Sequence, residues 1–332
     1  MGASGRVTLR AADIAWTSST APASSRFTFL GLRDLMNAPK PAALFAQPLA
    51  VSGGLTGLVG SPGDGKTMLL CNMALALLTG RPVHGLVPLE QGAVLYLDGE
   101  RSLGLRLQAA AHAAGIALTD SLPLIGLAGE ALDLSDTDST RAFINAALLA
   151  DVRPVMLAVD TWPLYFGGDE NGPDMNIGVR NVQAIRDALG TATVAVLHPT
   201  KADATIERGH SSFRGAADYM LGTKRVGDRV TLSTTKNRFG PAGQIIGSYR
   251  ICAVPEVERG ACLRPAADVI DDETLSTRDV TAWGALTDGM THTAWREAAE
   301  AAGLTRSQFN AAMTRLVDLG RAVKNGSAYV RG

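Results

Sequence analysis

From about residue 50 the chain alternates short apolar runs with longer segments of helical spacing. Thr56–Val59, Ala93–Leu97, Val155–Val159 and Thr193–Leu197 are apolar runs of strand length, each closed by turn-forming residues. Between them, Lys66–Leu78 and residues 102–114, 140–150 and 176–189 carry helical spacing. Strands apolar on both faces and separated by helices predict an α/β fold whose mainly parallel sheet is covered on both sides. After residue 217 the runs shorten to Tyr219–Thr223 and Arg229–Thr235, which predicts an antiparallel ending to the sheet.

A different pattern closes the chain. Thr305-Arg-Ser-Gln308 has the form of a capping box, with Leu304 and Phe309 placed as a hydrophobic staple. Phe309, Met313, Leu316 and Val317 keep helical spacing up to Gly320, and Val323–Tyr329 reads as a hairpin turning at Asn325-Gly326. Helices followed by a hairpin predict a small winged-helix-like unit, with a packing appendage as the plainer alternative. The expected organisation is a tail or interface segment over 1–38, an α/β core over 39–252, an acidic linker over 253–288 and the winged-helix-like unit over 289–332.

Composition narrows the classes. With 46% apolar residues in 332, the chain has ample material for a core, and general disorder is excluded. No run reaches the ~18 apolar residues of a membrane span and no early apolar segment marks a signal peptide, so a cytoplasmic protein without membrane contact is expected. Cys71, Cys252 and Cys262 show no metal-ligand spacing, which predicts free thiols and no zinc site. Net charge is −1, but residues 201–250 hold 9 Lys and Arg against 4 Asp and Glu, and 291–332 hold 6 against 3. Two basic segments around an acidic stretch are compatible with contact to a polyanion.

The clearest chemistry lies after the first strand. Gly60-Ser61-Pro62-Gly63-Asp64-Gly65-Lys66-Thr67, leading into Met68, satisfies G-x-x-x-x-G-K-[ST] between a strand and a helix. Its glycines let backbone N–H groups wrap phosphate oxygens, Lys66 reaches the outer phosphates, and Thr67 offers a hydroxyl to magnesium. Asp160 ends an apolar strand, the Walker B position, and can orient magnesium with Thr67. Glu100 in Tyr96-Leu-Asp-Gly-Glu100 is the candidate for positioning the attacking water, with Asp98 as competitor. His198 ends another strand, where a polar group would face the γ-phosphate.

Together these residues resemble the RecA-like hexameric ATPases, particularly the RepA-like helicases of plasmids and phages, over roughly residues 40–250. Besides the P-loop, the resemblance rests on Asp160-Thr-Trp, Gly167-Gly-Asp-Glu-Asn171, Leu197-His-Pro-Thr-Lys201 and Arg208-Gly-His-Ser-Ser-Phe-Arg214-Gly. The segment Thr235-Lys236-Asn-Arg238 is similar to the Lys-x-Arg segment of DnaB-type replicative helicases. The resemblance implies ATP with magnesium at subunit interfaces of a homo-oligomer, expected to be a hexameric ring. It implies that Glu100 activates water and that His198 couples the γ-phosphate to a DNA-contacting loop, for which Lys201, Arg208 and Arg214 are candidates. It also implies that Arg238 and Lys236 act in trans. The expected function is an ATP-dependent DNA helicase or translocase on single-stranded DNA in plasmid or phage replication, partnered by an initiator, primase or loader. The alternatives are a RecA-like regulator or loader that unwinds nothing, and a filament-forming recombinase.

Overall fold

Apolar residues on both faces bury the strand Leu55–Val59 (β1) entirely, and the rest of the fold is arranged around it. The structure is a computed structural model and describes residues 30–127, 132–200, 206–209, 211–268, 276–318 and 322–331. The chain divides into two units, Met1–Ala42 and Ala43–Gly332. In the first, Leu32–Met36 forms a short helix (α1) whose residues are all exposed. The tail expected before it lies outside the described residues.

The second unit contains a nine-stranded sheet. In chain order its elements are β1, α2 (Lys66–Thr79), β2 (Ala93–Asp98), α3 (Leu103–Ala113), β3 (Leu124–Gly126), α4 (Thr137–Leu149), β4 (Pro154–Asp160), α5 (Asp174–Leu189), β5 (Ala192–Leu197), α6 (Ser212–Ala216), β6 (Tyr219–Val226), β7 (Arg229–Asn237), β8 (Ile245–Val254) and β9 (Gly260–Pro265). The strand order is β3-β2-β4-β5-β1-β6-β7-β8-β9. The first six strands are parallel, and β7, β8 and β9 add antiparallel. This is an α/β core with a mainly parallel sheet, in which β5 lies between the P-loop strand and the Walker B strand.

Period-two alternation sorts the strand residues to two cores. Leu58, Val94, Tyr96, Met156 and Ala158 pack with α2 on one face, and Leu55, Val59, Leu95, Leu157 and Val159 pack on the other with Val182 and Ile185 of α5. Helix α2 is apolar around its whole circumference, as a helix enclosed on all sides must be, and it lies against α3, β2 and β9.

Two expectations shift. The core sheet does not stop at residue 252, because β8 and β9 run on to Pro265 and Leu263 joins the core beside α2. The expected linker 253–288 also loses its C-terminal part. Thr277–Gly284 is a helix (α7), opened by a capping box of Ser276 and Asp279, and it packs on the helix Arg306–Asp318. The C-terminal elements are α7, β10 (Met290–Thr291), α8 (His292–Ala301), α9 (Arg306–Asp318), β11 (Ala322–Asn325) and β12 (Ala328–Arg331), with a sheet of order β10-β12-β11. These helices and the small sheet pack on Trp295, Phe309 and Leu316. The expected capping box at Thr305 and Gln308 is present. The hairpin turn falls one residue later than expected: Asn325 pairs with Ala328, so Gly326 and Ser327 form the turn, and Gly326 supplies its positive φ of 64°.

Candidate nucleotide-binding site

The C-terminal ends of β1, β2, β4 and β5 open on a cleft of about 220 Å³, lined among others by Gly63, Gly65, Lys66, Thr67, Glu100, Arg106, Thr161 and His198. Strand ends of an open α/β sheet are where ligands bind, because helix N-termini and loops converge there. The P-loop leaves β1 under tight steric control. A Cβ on Gly60 would lie 2.0 Å from Thr223 Oγ1 on β6, so only glycine fits. Gly65 has φ of 79° and opens α2 in the left-handed region, with Leu263 against it. Asp64 accepts from the Ser61 N–H at 2.9 Å, and Arg225 of β6 donates to the Gly63 carbonyl at 3.0 Å. Lys66 Nζ folds back on the carbonyls of Gly60 and Ser61 at 2.6 and 2.9 Å. Burial holds its ammonium below the ordinary lysine value, against the pull of Asp64, Asp160 and Glu100.

Asp160 is fully buried at the end of β4, followed by a cis Asp160–Thr161 peptide. Its Oδ1 lies 3.4 Å from Thr67 Oγ1 and its Oδ2 accepts from the Tyr96 hydroxyl at 2.7 Å. Burial raises this carboxyl above the usual value, while the Tyr96 and Thr67 hydrogen bonds favour the charged form and Glu100 and Asp98 oppose it. A hydroxyl and a carboxylate at the mouth of a phosphate loop form the oxygen donor set magnesium accepts, with few protein ligands and several waters. Thr67 and Asp160 therefore fit the metal. Among the described residues no group of three or more His, Cys, Asp or Glu could hold a metal by itself.

Glu100 and Asp98 separate clearly. Asp98 Oδ1 and Oδ2 accept from Ser102 N and Leu103 N at 3.1 and 3.0 Å, so its carboxylate caps α3. Glu100 is exposed in the turn that follows and lines the cleft. His198 lines it too, and its carbonyl accepts from Arg208 N at 2.8 Å, which ties the returning loop to the tip of β5.

The candidate DNA contacts fare differently. Lys201 lies outside the described residues. Arg208 pairs with Glu170 at 2.8 Å and remains half exposed. Arg214 makes a bidentate pair with the buried Glu207, at 2.7 and 2.6 Å, and also reaches Thr235. That pair joins the start of α6 to the loop before it, and its guanidinium is committed within the chain.

Lys236 and Arg238 sit away from the cleft. β6 starts at Tyr219, opposite Asn237, whereas the P-loop follows Val59, opposite Gly222. The two cations are thus at the N-terminal edge of the parallel strands, about 10 Å of strand from the P-loop edge at ~3.3 Å per residue. Arg238 donates to the carbonyls of Gly215, Ala216 and Ala217 and pairs with Asp218 at 3.2 Å. Lys236 donates to the carbonyls of Arg214 and Gly215. Both close the C-terminal end of α6, where cations are favourable. Tyr96, Arg106, Thr161 and Arg225 are site residues that sequence reasoning passed over; Tyr96 and Thr161 read as buried positions and the two arginines carry no local motif.

A phosphate loop, a Walker B carboxylate and a glutamate on the rim, at the strand ends of a mainly parallel sheet, define a P-loop ATPase domain. The family pattern described as AAA domain matches residues 21–204, and the chain belongs to that family. Among solved structures, the chain is similar to one described as the crystal structure of the RadB recombinase, at 17% identity and a TM-score of 0.46, covering 64% of this chain and 91% of that one. No curated protein matches the chain. No helix among the described residues is long and apolar enough to cross a membrane.

Proposed function

We propose that the protein is an ATP-driven DNA helicase or translocase of RepA-like type, a cytoplasmic oligomer acting in plasmid or phage replication. The observation that carries this reading is the split between a nearly complete nucleotide cleft and the Lys236–Arg238 pair at the opposite sheet edge. In that position the two cations can serve a nucleotide only on a neighbouring subunit, which is the arrangement of a ring with shared sites.

In this mechanism the P-loop amides and Lys66 hold the phosphates, and Thr67 and Asp160 hold magnesium. When bound, magnesium would supply charge neutralisation at the phosphates. Glu100 accepts a hydrogen bond from the attacking water and orients it in line with the γ-phosphorus. Arg238 and Lys236 of the adjacent subunit leave the α6 carbonyls and stabilise charge on the transferring phosphoryl oxygens. His198 senses the γ-phosphate from the cleft. Its carbonyl bond to Arg208 N carries that state into the loop before α6, where Arg208 contacts a phosphate of single-stranded DNA.

A second reading, a regulator or loader that binds ATP and a partner protein without unwinding, is favoured by one observation. Arg208 and Arg214 both have carboxylate partners in their own chain, so DNA must compete for them. A forked-duplex unwinding assay with ATP and magnesium tests the two. Strand separation that is lost in Lys66→Ala supports the helicase. ATP turnover without separation, on forks of either polarity, supports the regulator.

A further inference from the structure

We infer that Tyr96 is the positioning residue that fixes the Asp160 carboxylate for magnesium. The inference rests on the nucleotide-site reading above and extends it to a residue with no place in the P-loop or Walker B motifs. The register of β2 and β4 sets Tyr96 opposite Ala158 and Asp98 opposite Asp160. Tyr96 is therefore the diagonal neighbour of Asp160, and period-two alternation puts both on the face covered by α2. At that spacing only a long side chain spans the gap. The phenol does so and donates to Oδ2 at 2.7 Å.

Three features make this more than a buried hydroxyl finding a partner. First, Asp160 is fully buried and Tyr96 is 1% exposed, so no water replaces the bond if it is lost. Second, the phenol carries a single proton, and the 2.7 Å contact spends it on Oδ2. The Cys71 thiol, from α2, lies beside the same phenol. Third, the bond leaves Oδ1 as the oxygen turned to Thr67, 3.4 Å away. One carboxylate oxygen is thus pinned by a neutral donor, and the other is directed at the side chain that shares the metal. Without the phenol hydroxyl the carboxylate loses the contact that sets its rotation.

Outer-shell partners of metal-holding carboxylates typically contribute 10–100-fold to metal affinity. Tyr96→Phe removes one oxygen and keeps the ring that fills the core. The experiment measures binding of a fluorescent, non-hydrolysable ATP analogue to the full chain, in EDTA and across a magnesium titration. Wild type, Tyr96→Phe and Cys71→Ala are compared, with thermal unfolding of each. The expected result is that Tyr96→Phe binds the analogue in EDTA as wild type does but needs roughly 10-fold or more magnesium for half-maximal stimulation. Cys71→Ala, which alters packing beside the same ring, keeps the wild-type magnesium response. A Tyr96→Phe protein with an unchanged magnesium response overturns the assignment, and so does a Cys71→Ala protein with the same weakening. A wild-type protein that binds no analogue at any magnesium concentration overturns the nucleotide reading itself, and Tyr96's role with it.

Discussion

Replacing Glu100 by Gln and Asp98 by Asn tests how the end of β2 divides its labour. The two carboxylates are two residues apart, and either could be imagined facing water. Their surroundings differ. Both oxygens of Asp98 are spent on Ser102 N and Leu103 N, while Glu100 is exposed on the rim of the cleft. Gln keeps the shape of Glu100 but is a far weaker acceptor for the water's proton. General-base assistance is worth typically 10²–10⁴-fold, so Glu100→Gln should lose about 3–5 kcal/mol of transition-state stabilisation. Nucleotide affinity should stay near wild type, because the phosphates are held by the P-loop. Asn at 98 keeps one acceptor oxygen of the two that cap α3. The expected cost is about 0.5–1 kcal/mol of stability, the lower part of the range for losing an N-cap, with turnover within a few-fold of wild type. Single-turnover phosphate release, analogue binding and thermal unfolding on both variants read the three quantities separately. An inactive, well-folded Asp98→Asn beside an active Glu100→Gln would refute the assignment.

Much of the nucleotide site is legible in the sequence, for a physical reason. P-loop chemistry is local: eight consecutive residues between one strand and one helix make the phosphate nest, and the strand Val155–Val159 delivers Asp160 from its own apolar pattern. Strand pairing is not local. Apolar alternation says which face of a strand is buried and nothing about its neighbour, so the β8–β9 hairpin, bearing Glu256, Glu258 and Arg259 around its turn, has the composition of an acidic linker. The same hairpin brings Cys252 directly opposite Cys262, a juxtaposition that the ten-residue spacing conceals. Tyr96 is hidden similarly: in sequence it is one more apolar strand position, and only the register with β4 sets its hydroxyl against Asp160. Helix α7 has a readable capping box at Ser276 and Asp279, but the preceding Asp271-Asp272-Glu273 gives the segment the charge pattern of a solvated linker.

Other consequences can be measured directly. Gly60→Ala should destabilise the protein by about 1–3 kcal/mol, since its Cβ meets Thr223 Oγ1 at 2.0 Å; adding Thr223→Ala should recover part of the loss in thermal unfolding. Arg208→Ala should weaken single-stranded DNA binding evenly across sequences and flatten the salt dependence by about 0.7 in log–log slope. Glu170→Gln, which frees Arg208 from its carboxylate, should tighten that binding; unchanged affinity in both variants would favour the regulator. The last prediction concerns Arg238, whose position makes it informative about assembly. It lies at the far edge of the sheet from its own P-loop, so Arg238→Ala should bind ATP normally on its own subunit. If the finger acts in trans, hydrolysis falls by ~10³-fold or more. Mixing that protein with Glu100→Gln creates interfaces in which an intact Glu100 site meets an intact Arg238, and these should hydrolyse ATP although neither parent does. The control is structural: Arg238 also holds the carbonyls of Gly215, Ala216 and Ala217, so loss of the side chain loosens α6 in every subunit. A defect caused by α6 alone would persist in the mixture, since no partner can repair it. Recovery on mixing therefore requires a shared site, and absence of recovery, in a mixture shown to co-assemble, refutes it.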